Sequence, residues 1–252
     1  MKKIFLPIFL LVFLAACSSI VKTTSIEMQN LKGKVKILKE TRYNAEEEFD
    51  EIPKEDMRYW VTTMKVFDEK GNLIEQIQDD SDGNMYYKWT LKYDEKGNIE
   101  GNEYSADGSL NRKEVYKYAE KGNLIEMSGY DFDGSLMYKF VYKYDNKRHL
   151  IEHSLYNPDG NLREKSIYKY DNKGNKIEED KYHSNGSLDY TLAYKYDKKG
   201  NVIDEGWYNR VGNLIPQYTY KYEYDEKNNW IKKIKYDDDV ATVITVREIE
   251  YY

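Results

Sequence analysis

Tyr93-Asp94-Glu95-Lys96-Gly97-Asn98 is one copy of a phrase that recurs about every 26 residues over positions 67–236. The other full copies occupy residues 118–123, 170–175 and 196–201. Between successive copies lies a second turn, also centred on glycine, at Gly83, Gly108, Gly134, Gly160, Gly186 and Gly212. Self-similarity at a fixed period indicates that one small structural unit was copied and stacked.

The unit that begins at Leu136 shows what was copied. Leu136–Tyr144 alternates aromatic residues with lysine and valine, which predicts a strand with its aromatic side chains on one face. Leu150–Tyr156 predicts the return strand. The chain turns at residues 145–149 and again at 157–160, where proline fixes φ and glycine accepts a positive φ. Each unit is therefore a β-hairpin.

Several columns of residues recur at this period. Lys117, Lys143, Lys169 and Lys195 precede the end of each outgoing strand, and a glutamate follows each turn, at Glu126, Glu152 and Glu178. We expect these charges to pair across neighbouring strands. Two strands per unit plus the ends give about sixteen strands, and twisted open sheets rarely exceed about ten without curling. The predicted fold is all-β, with tandem antiparallel hairpins forming an elongated, curved or spiralling single sheet.

The segments flanking the repeats predict end caps. Residues 32–66 and 237–252 are strand-like but lack the full phrase, as expected where a repeat array must protect its outermost edges. Residues 45–56 form an acidic insertion within the first cap. This insertion fits either a short helix or, as we prefer, a solvated connection between two strands.

The N-terminus carries an export signal. Lys2 and Lys3 precede an apolar run too short to span a bilayer, and residues 1–16 end in small residues. The ending Leu14-Ala15-Ala16-Cys17 resembles the bacterial lipoprotein signal, which implies that Cys17 becomes the lipidated first residue. The alternative is a plain signal peptide with a coincidental cysteine. Residues 17–31 would then form a tether, and Cys17 is the only cysteine, so no internal disulfide is available.

Composition excludes some partners. Without Lys2 and Lys3 the chain has 37 basic against 45 acidic residues, a net charge of −8. An acidic chain is a poor binder of nucleic acid, because phosphate contacts dominate that affinity. We therefore expect the chain to contact the membrane through the lipid anchor at Cys17. The chain has 27 tyrosines and only 7 phenylalanines. Because tyrosine favours strands and has an apolar ring with a polar hydroxyl, this excess indicates many half-buried positions on a sheet.

The phrase Tyr-x-Tyr-Asp with Gly-Asn-Leu-Ile, as in residues 142–145 and 122–125, resembles the YD or RHS-type repeat of bacterial surface proteins. The resemblance covers residues 67–236, although the period is longer than in that family and the array too short for its large closed shells. The chain is also similar to small exported proteins of the Bacteroidetes type, and more weakly to MORN-variant repeats, a family that includes proposed antitoxins.

Catalytic and metal-binding patterns are weak. His149 and His153 share a strand face, but about 13 Å separates residues four apart on a strand, too far to chelate one metal by themselves. Residues 79–83 are rich in aspartate, but alignment to a calcium loop puts Trp89 where a glutamate belongs. We therefore expect no enzyme activity, no cofactor and no metal.

Binding is the better-supported class of function. The candidate binding residues are Tyr104, Tyr130, Tyr156, Tyr182 and Tyr208, spaced by 26 residues, and Trp207, where the repeat departs from its pattern. The alternative is that these tyrosines only pave the sheet. We expect a lipid-anchored envelope protein of the outer membrane, facing the periplasm or the surface, that serves as a binding or scaffold module for a glycan or an envelope protein. The alternative function is a lipoprotein immunity factor that neutralises a neighbouring toxin.

Overall fold

The computed structural model describes residues 29–45, 59–94, 99–120 and 122–252. The predicted signal sequence 1–16, the lipidation residue Cys17, the tether up to residue 28 and positions 46–58 around the acidic insertion lie outside the described residues. No helical segment within the described ranges has the length and apolarity needed to cross a bilayer.

Sixteen β-strands make up the described chain, as the repeat count predicts. The strands are β1 Val35–Asn44, β2 Tyr59–Phe67, β3 Leu73–Asp79, β4 Met85–Tyr93, β5 Ile99–Ser105, β6 Leu110–Tyr118, β7 Leu124–Asp131, β8 Leu136–Tyr144, β9 Leu150–Tyr156, β10 Leu162–Tyr170, β11 Lys176–His183, β12 Leu188–Tyr196, β13 Val202–Asn209, β14 Leu214–Tyr224, β15 Trp230–Asp237 and β16 Val240–Tyr251. The predicted bounds of β8 and β9 are confirmed.

The sheet closes into an antiparallel barrel. Each strand pairs with its neighbours in sequence, and β1 pairs with β16 over nine register partners that include Leu38 with Ile249 and Glu40 with Arg247. The prediction of an elongated open or spiralling sheet is therefore wrong, although the all-β class is right. Closure pairs the backbone N–H and C=O groups that an open ribbon would leave bare along its first and last strands.

The phrase forms the turn of each hairpin. Gly174, at φ 88°, donates its N–H to the Asp171 carbonyl oxygen at 3.1 Å, as in a type I turn closed by a left-handed residue. The Asp171 carboxylate accepts hydrogen bonds from the Asn175 side chain at 2.8 Å and from its backbone N–H at 2.9 Å. These hydrogen bonds lower the pKa of the Asp171 carboxyl. The recurring Asp and Asn are thus turn residues.

Alternation along each strand separates two faces. On β8, Phe140 is buried and belongs to the lumen wall, the face that points into the barrel, with Tyr138 and Tyr142. Lys143 belongs to the outer wall, and its side chain is 63% exposed. The side chains of the two walls differ in exposure because the closed sheet shields its concave face.

The barrel has two distinct ends. The terminal rim contains the chain ends of the barrel and the turns after the even-numbered strands, from 68–72 to 225–229. The distal rim contains the turns after the odd-numbered strands from β3 to β15. The apolar core cluster lies at the terminal rim and consists of Leu31, Val35, Leu38, Phe67 and Leu73.

The segment 29–34, which we call the N-terminal strap, lies on the terminal rim. Its Lys32 N–H donates to the Asn229 side chain at 2.6 Å, and Asn229 donates back to the Lys32 carbonyl oxygen at 2.9 Å. Asn30 donates to the carbonyl oxygen of Lys199 at 3.3 Å, and Gln29 accepts from Lys65 at 2.9 Å. The strap therefore contacts the turn after β14, the turn after β12 and strand β2.

Tyrosine hydroxyls tie neighbouring strands together near this rim. Each donates to a backbone carbonyl oxygen twenty residues earlier: Tyr93 to Leu73, Tyr170 to Leu150, Tyr196 to Lys176 and Tyr222 to Val202, at 2.7–2.8 Å. One recurring tyrosine column is therefore structural.

Candidate functional site

The outer wall repeats its charges with the period of the sequence. Lys117 pairs with Glu126 at 2.6 Å and Lys143 with Glu152 at 2.8 Å, each across a strand pair. Lys169 pairs with Glu178 in the same way. The predicted cross-strand charge pairing is confirmed. The lysine side chains of these pairs are 58–63% exposed, so the outer wall carries a regular set of exposed charges, next to exposed isoleucines such as Ile125 and Ile151.

The tyrosine ladder also lies on the outer wall. Its members are half-buried and stand towards the distal end of the return strands: Tyr104, Tyr130, Tyr156, Tyr182 and Tyr208. Tyr156 and Tyr182 pair in register with Lys139 and Lys165, whose ammonium groups lie 5.9 and 5.5 Å from the ring centroids. The structure thus brings the five tyrosines onto one wall, with lysines partly covering two of them.

Trp207, the other candidate from the sequence, lies on the opposite wall. Its ring faces the lumen and stacks on Tyr190, with centroids 5.1 Å apart. Its indole N–H donates to the Glu205 carboxylate at 2.6 Å. Because adjacent residues of a strand point to opposite faces, Trp207 and Tyr208 cannot serve one surface.

Buried ion pairs line the lumen between β5 and β8. Arg112 contacts the Glu103 carboxylate at 2.6 Å and lies 5.0 Å from the Trp89 ring centroid. Glu114 accepts hydrogen bonds from the hydroxyls of Tyr116 and Tyr138, both at 2.5 Å. Burial, followed by the Glu114 charge, raises the pKa of Tyr138 above its usual range. Both carboxylates therefore have hydrogen-bond partners, whereas the buried Arg112 Nε has none among the described residues.

A second lumen cluster surrounds His153. The Tyr168 hydroxyl lies 2.5 Å from His153 Nδ1, and burial lowers the pKa of His153 to about 4. The neighbouring Lys176 and Glu179 form an ion pair at 2.7 Å, with side chains only 8% and 7% exposed. His153 is therefore a neutral histidine in a packed wall. His149 lies apart from it and contacts the Asp145 carboxylate of its own turn at 3.0 Å.

Another ion cluster lies beside the seam that closes the barrel. Glu40 on β1 accepts a hydrogen bond from Arg247 on β16 at 3.0 Å and lies 3.2 Å from Lys65 on β2. Burial alone would raise the pKa of Glu40, but Lys65 and Arg247 lower it to about 2. The carboxylate therefore stays ionised and links three strands.

Strand β15 adds two further lumen cations, Lys233 and Lys235. The Lys235 ammonium lies 3.3 Å from the Tyr218 ring centroid, and the Lys233 ammonium lies 5.5 Å from the centroids of Tyr220 and Trp230. Burial lowers the pKa of Lys233 to about 8.

Among these lumen residues, sequence reasoning singled out only Trp207 as a binding candidate and His153 as a metal ligand that it then rejected. A signal was present, because several equivalent lumen positions differ between copies, although the tyrosine columns of Tyr142 and Tyr170 do repeat. One such column reads Glu103, Gly129, Leu155, Lys181 and Trp207, and another reads Gly101, Met127, His153, Glu179 and Glu205. At some positions of the repeat the residue type changes from copy to copy, while neighbouring positions keep theirs. The changing positions mark the wall on which each hairpin makes contacts of its own.

No protein-family model and no curated protein matches this sequence. Among solved structures, the chain is similar to a porin-like protein from Bacteroides uniformis, with a TM-score of 0.59 and 10% identity over 86% of this chain and 96% of that one. A porin-like protein from Bacteroides vulgatus gives a TM-score of 0.42 and 12% identity over 88% and 99% of the two chains. The Photorhabdus luminescens Tc holotoxin pore gives a TM-score of 0.34 and 18% identity over 83% of this chain and 11% of that one.

The first of these likenesses concerns the fold alone. It supports an all-β barrel and gives no support to the narrower resemblance to YD or RHS repeats.

Proposed function

We propose that the chain is a lipid-anchored protein of the cell envelope, with its anchor at Cys17, and that it acts by non-enzymatic binding of a glycan or an envelope protein. The charged outer wall is the observation that carries the proposal. A membrane-spanning barrel presents an apolar band about 25 Å tall to the lipid. Here exposed lysines such as Lys117 and Lys143 interrupt the outer wall in successive repeats. Such a wall suits a barrel surrounded by water, which needs a separate anchor to stay at a membrane.

The position of the N-terminal strap supports an orientation. Cys17 lies twelve residues before Gln29, which limits the anchor to roughly 40 Å from the barrel. Because the strap lies on the terminal rim, that rim would face the membrane and the distal rim would point away from it. The bulk of the outer wall would then be accessible to partners.

The tyrosine ladder is the proposed contact surface on that wall. Aromatic rings with a polar hydroxyl are suited to sugar faces and to extended peptides. Tyr156 and Tyr182 stay half-exposed beside Lys139 and Lys165, which add hydrogen-bond donors. The YD-type repeat that the sequence resembles is typical of bacterial surface proteins, which fits a role in binding partners at the cell envelope.

Envelope fractionation tests the anchor. Cys17→Ala should move the protein from the membrane to the soluble fraction, because the lipid would be its main membrane contact. Ser18→Ala is the matched control and should stay with the membrane. A Cys17→Ala variant that remains membrane-bound contradicts the anchor.

Binding to an array of glycans and envelope proteins tests the ladder. Tyr156→Ala and Tyr182→Ala together should keep the fold and weaken binding, while the lumen variant Tyr170→Phe should bind as before. Unchanged binding after substitution of the whole ladder rules this surface out.

A further inference from the structure

Lys233 and Lys235 are unusual among the lysines of the lumen wall. The other described lumen lysines each contact a carboxylate: Lys65 with Glu40 at 3.2 Å, Lys176 with Glu179 at 2.7 Å and Lys181 with Glu164 at 2.9 Å. Within the described part of the chain, neither Lys233 nor Lys235 has a carboxylate within ion-pair distance. Among the described residues, these two lumen cations therefore lack a direct counter-charge.

The contacts that these two lysines do make leave their donors free. Both ammonium groups lie over rings, Lys235 over Tyr218 and Lys233 near Tyr220 and Trp230. A ring attracts the charge through its face but accepts no conventional hydrogen bond from the three N–H groups. Those N–H groups can donate to an anion.

Lys233 is enclosed but still accessible. The surrounding protein excludes bulk water and lowers its pKa to about 8, and Arg42 and Arg247 act in the same direction against Glu40 and Glu205. The residue nevertheless keeps part of its solvent-accessible surface. Since its side chain points inwards, that surface opens to the lumen. A ligand anion there would replace the missing counter-charge.

An aromatic wall continues from these cations through adjacent strands. The Tyr220 hydroxyl donates to Glu205 at 3.0 Å, and Glu205 also accepts the Trp207 N–H at 2.6 Å. Trp207 in turn stacks on Tyr190. Cations, a hydrogen-bond acceptor and flat half-buried rings thus form one continuous surface from β12 to β15.

We propose that this lumen surface binds an acidic saccharide. Its carboxylate would accept hydrogen bonds from Lys233 and Lys235, since ammonium–carboxylate bonds are among the stronger ones in proteins. The apolar face of a sugar ring would pack on Trp207, and Glu205 would accept sugar hydroxyls. The site is separate from the outer tyrosine ladder, so either can fail without the other.

Titration calorimetry of the full-length protein with hexuronate trisaccharides tests the ligand class. The acidic trisaccharides should bind at least about tenfold more tightly than neutral trisaccharides or inorganic sulfate. Equal binding of the neutral sugars overturns the role of the lysines, and equal binding of sulfate overturns the saccharide class. No binding of any hexuronate at about 10 mM overturns the whole proposal.

Variants locate the site. Lys233→Met and Lys235→Met should each weaken hexuronate binding about tenfold or more. Lys221→Met is the matched control, because Lys221 lies over Tyr236 on the outer wall at 4.7 Å, and it should bind normally. Lys233→Met removes a poorly solvated charge, so its Tm should stay level or rise while its binding falls. Normal binding by both lumen variants overturns the assignment.

Discussion

The outer wall and the lumen wall belong to the same sixteen strands, yet they keep the 26-residue period differently. The outer wall repeats Lys117–Glu126 as Lys143–Glu152 and again in the next hairpin. The lumen wall places Glu103, Gly129 and Trp207 at equivalent positions. The comparison teaches that the copied unit specifies the hairpins, the water-facing charges and the tyrosine columns of Tyr142 and Tyr170. Other lumen-facing positions differ between copies and make distinct contacts.

The largest expected effect concerns a lumen charge at the seam. Glu40→Ala should destabilise the barrel by about 3–5 kcal/mol, because it leaves Arg247 and Lys65 without their partner in a shielded site. Denaturant unfolding measures the loss.

The matched control is on the outer wall of the same strand pair. Glu248 faces Lys39 at 3.2 Å and its side chain is 69% exposed, so Glu248→Ala should cost less than about 1 kcal/mol. Equal losses from the two substitutions would remove the distinction between the walls.

The second effect is a dependence on pH. The pKa of Glu40 lies at about 2 in the fold against 4.5 for an ordinary glutamate, so its contribution is complete above 4.5 and disappears as pH falls towards 2. The difference corresponds to about 3 kcal/mol. Unfolding free energies at about pH 6 and about pH 3 should therefore differ less in Glu40→Gln than in the parent. An unchanged pH dependence would show that another carboxyl group is responsible.

A smaller effect tests lumen packing at Gly129. An added Cβ would lie 2.7 Å from two ring carbons of Tyr138, well inside van der Waals contact. Gly129→Ala should therefore destabilise by about 1–3 kcal/mol. In a Tyr138→Leu background the same substitution should cost much less, and a double-mutant cycle measures the difference. Identical costs in both backgrounds would mean that the ring does not cover Gly129.

The smallest expected effect is on the outer wall. A double-mutant cycle on Lys143 and Glu152 should give a coupling below about 1 kcal/mol that weakens with salt. The same cycle on Lys176 and Glu179 in the lumen should give a larger coupling, because both side chains are shielded from water. An outer coupling as large as the lumen coupling contradicts the difference between the walls.

The hairpins could be predicted from sequence because their determinants are local. The bounds of β8 and β9 follow from alternation between two glycine turns, and Asp171 with Asn175 explains why one turn recurs. The Lys143–Glu152 pair follows from the same register. All these residues are separated by only a few positions along the chain.

Closure and the lumen contacts depend on distant residues. Nothing near Glu40 in sequence indicates Arg247, which lies 207 positions away. The contact between Tyr138 and Glu114 depends on how neighbouring hairpins curve. Trp207 and Tyr208 are adjacent on one strand, so alternation alone places them on opposite faces. The sequence was therefore sufficient to predict that they belong to different surfaces. The lipid anchor at Cys17 stays a prediction.

Crosslinking across β1 and β16 tests barrel closure most directly. Lys39 and Glu248 are register partners on the outer wall, and paired residues of antiparallel strands have Cα spacings that a disulfide can bridge. In a Cys17→Ser background, Lys39→Cys with Glu248→Cys should form an intramolecular disulfide on mild oxidation, while Lys39→Cys with Glu152→Cys should not. Free thiols or only intermolecular crosslinks in the first pair would contradict a closed barrel and restore the open ribbon.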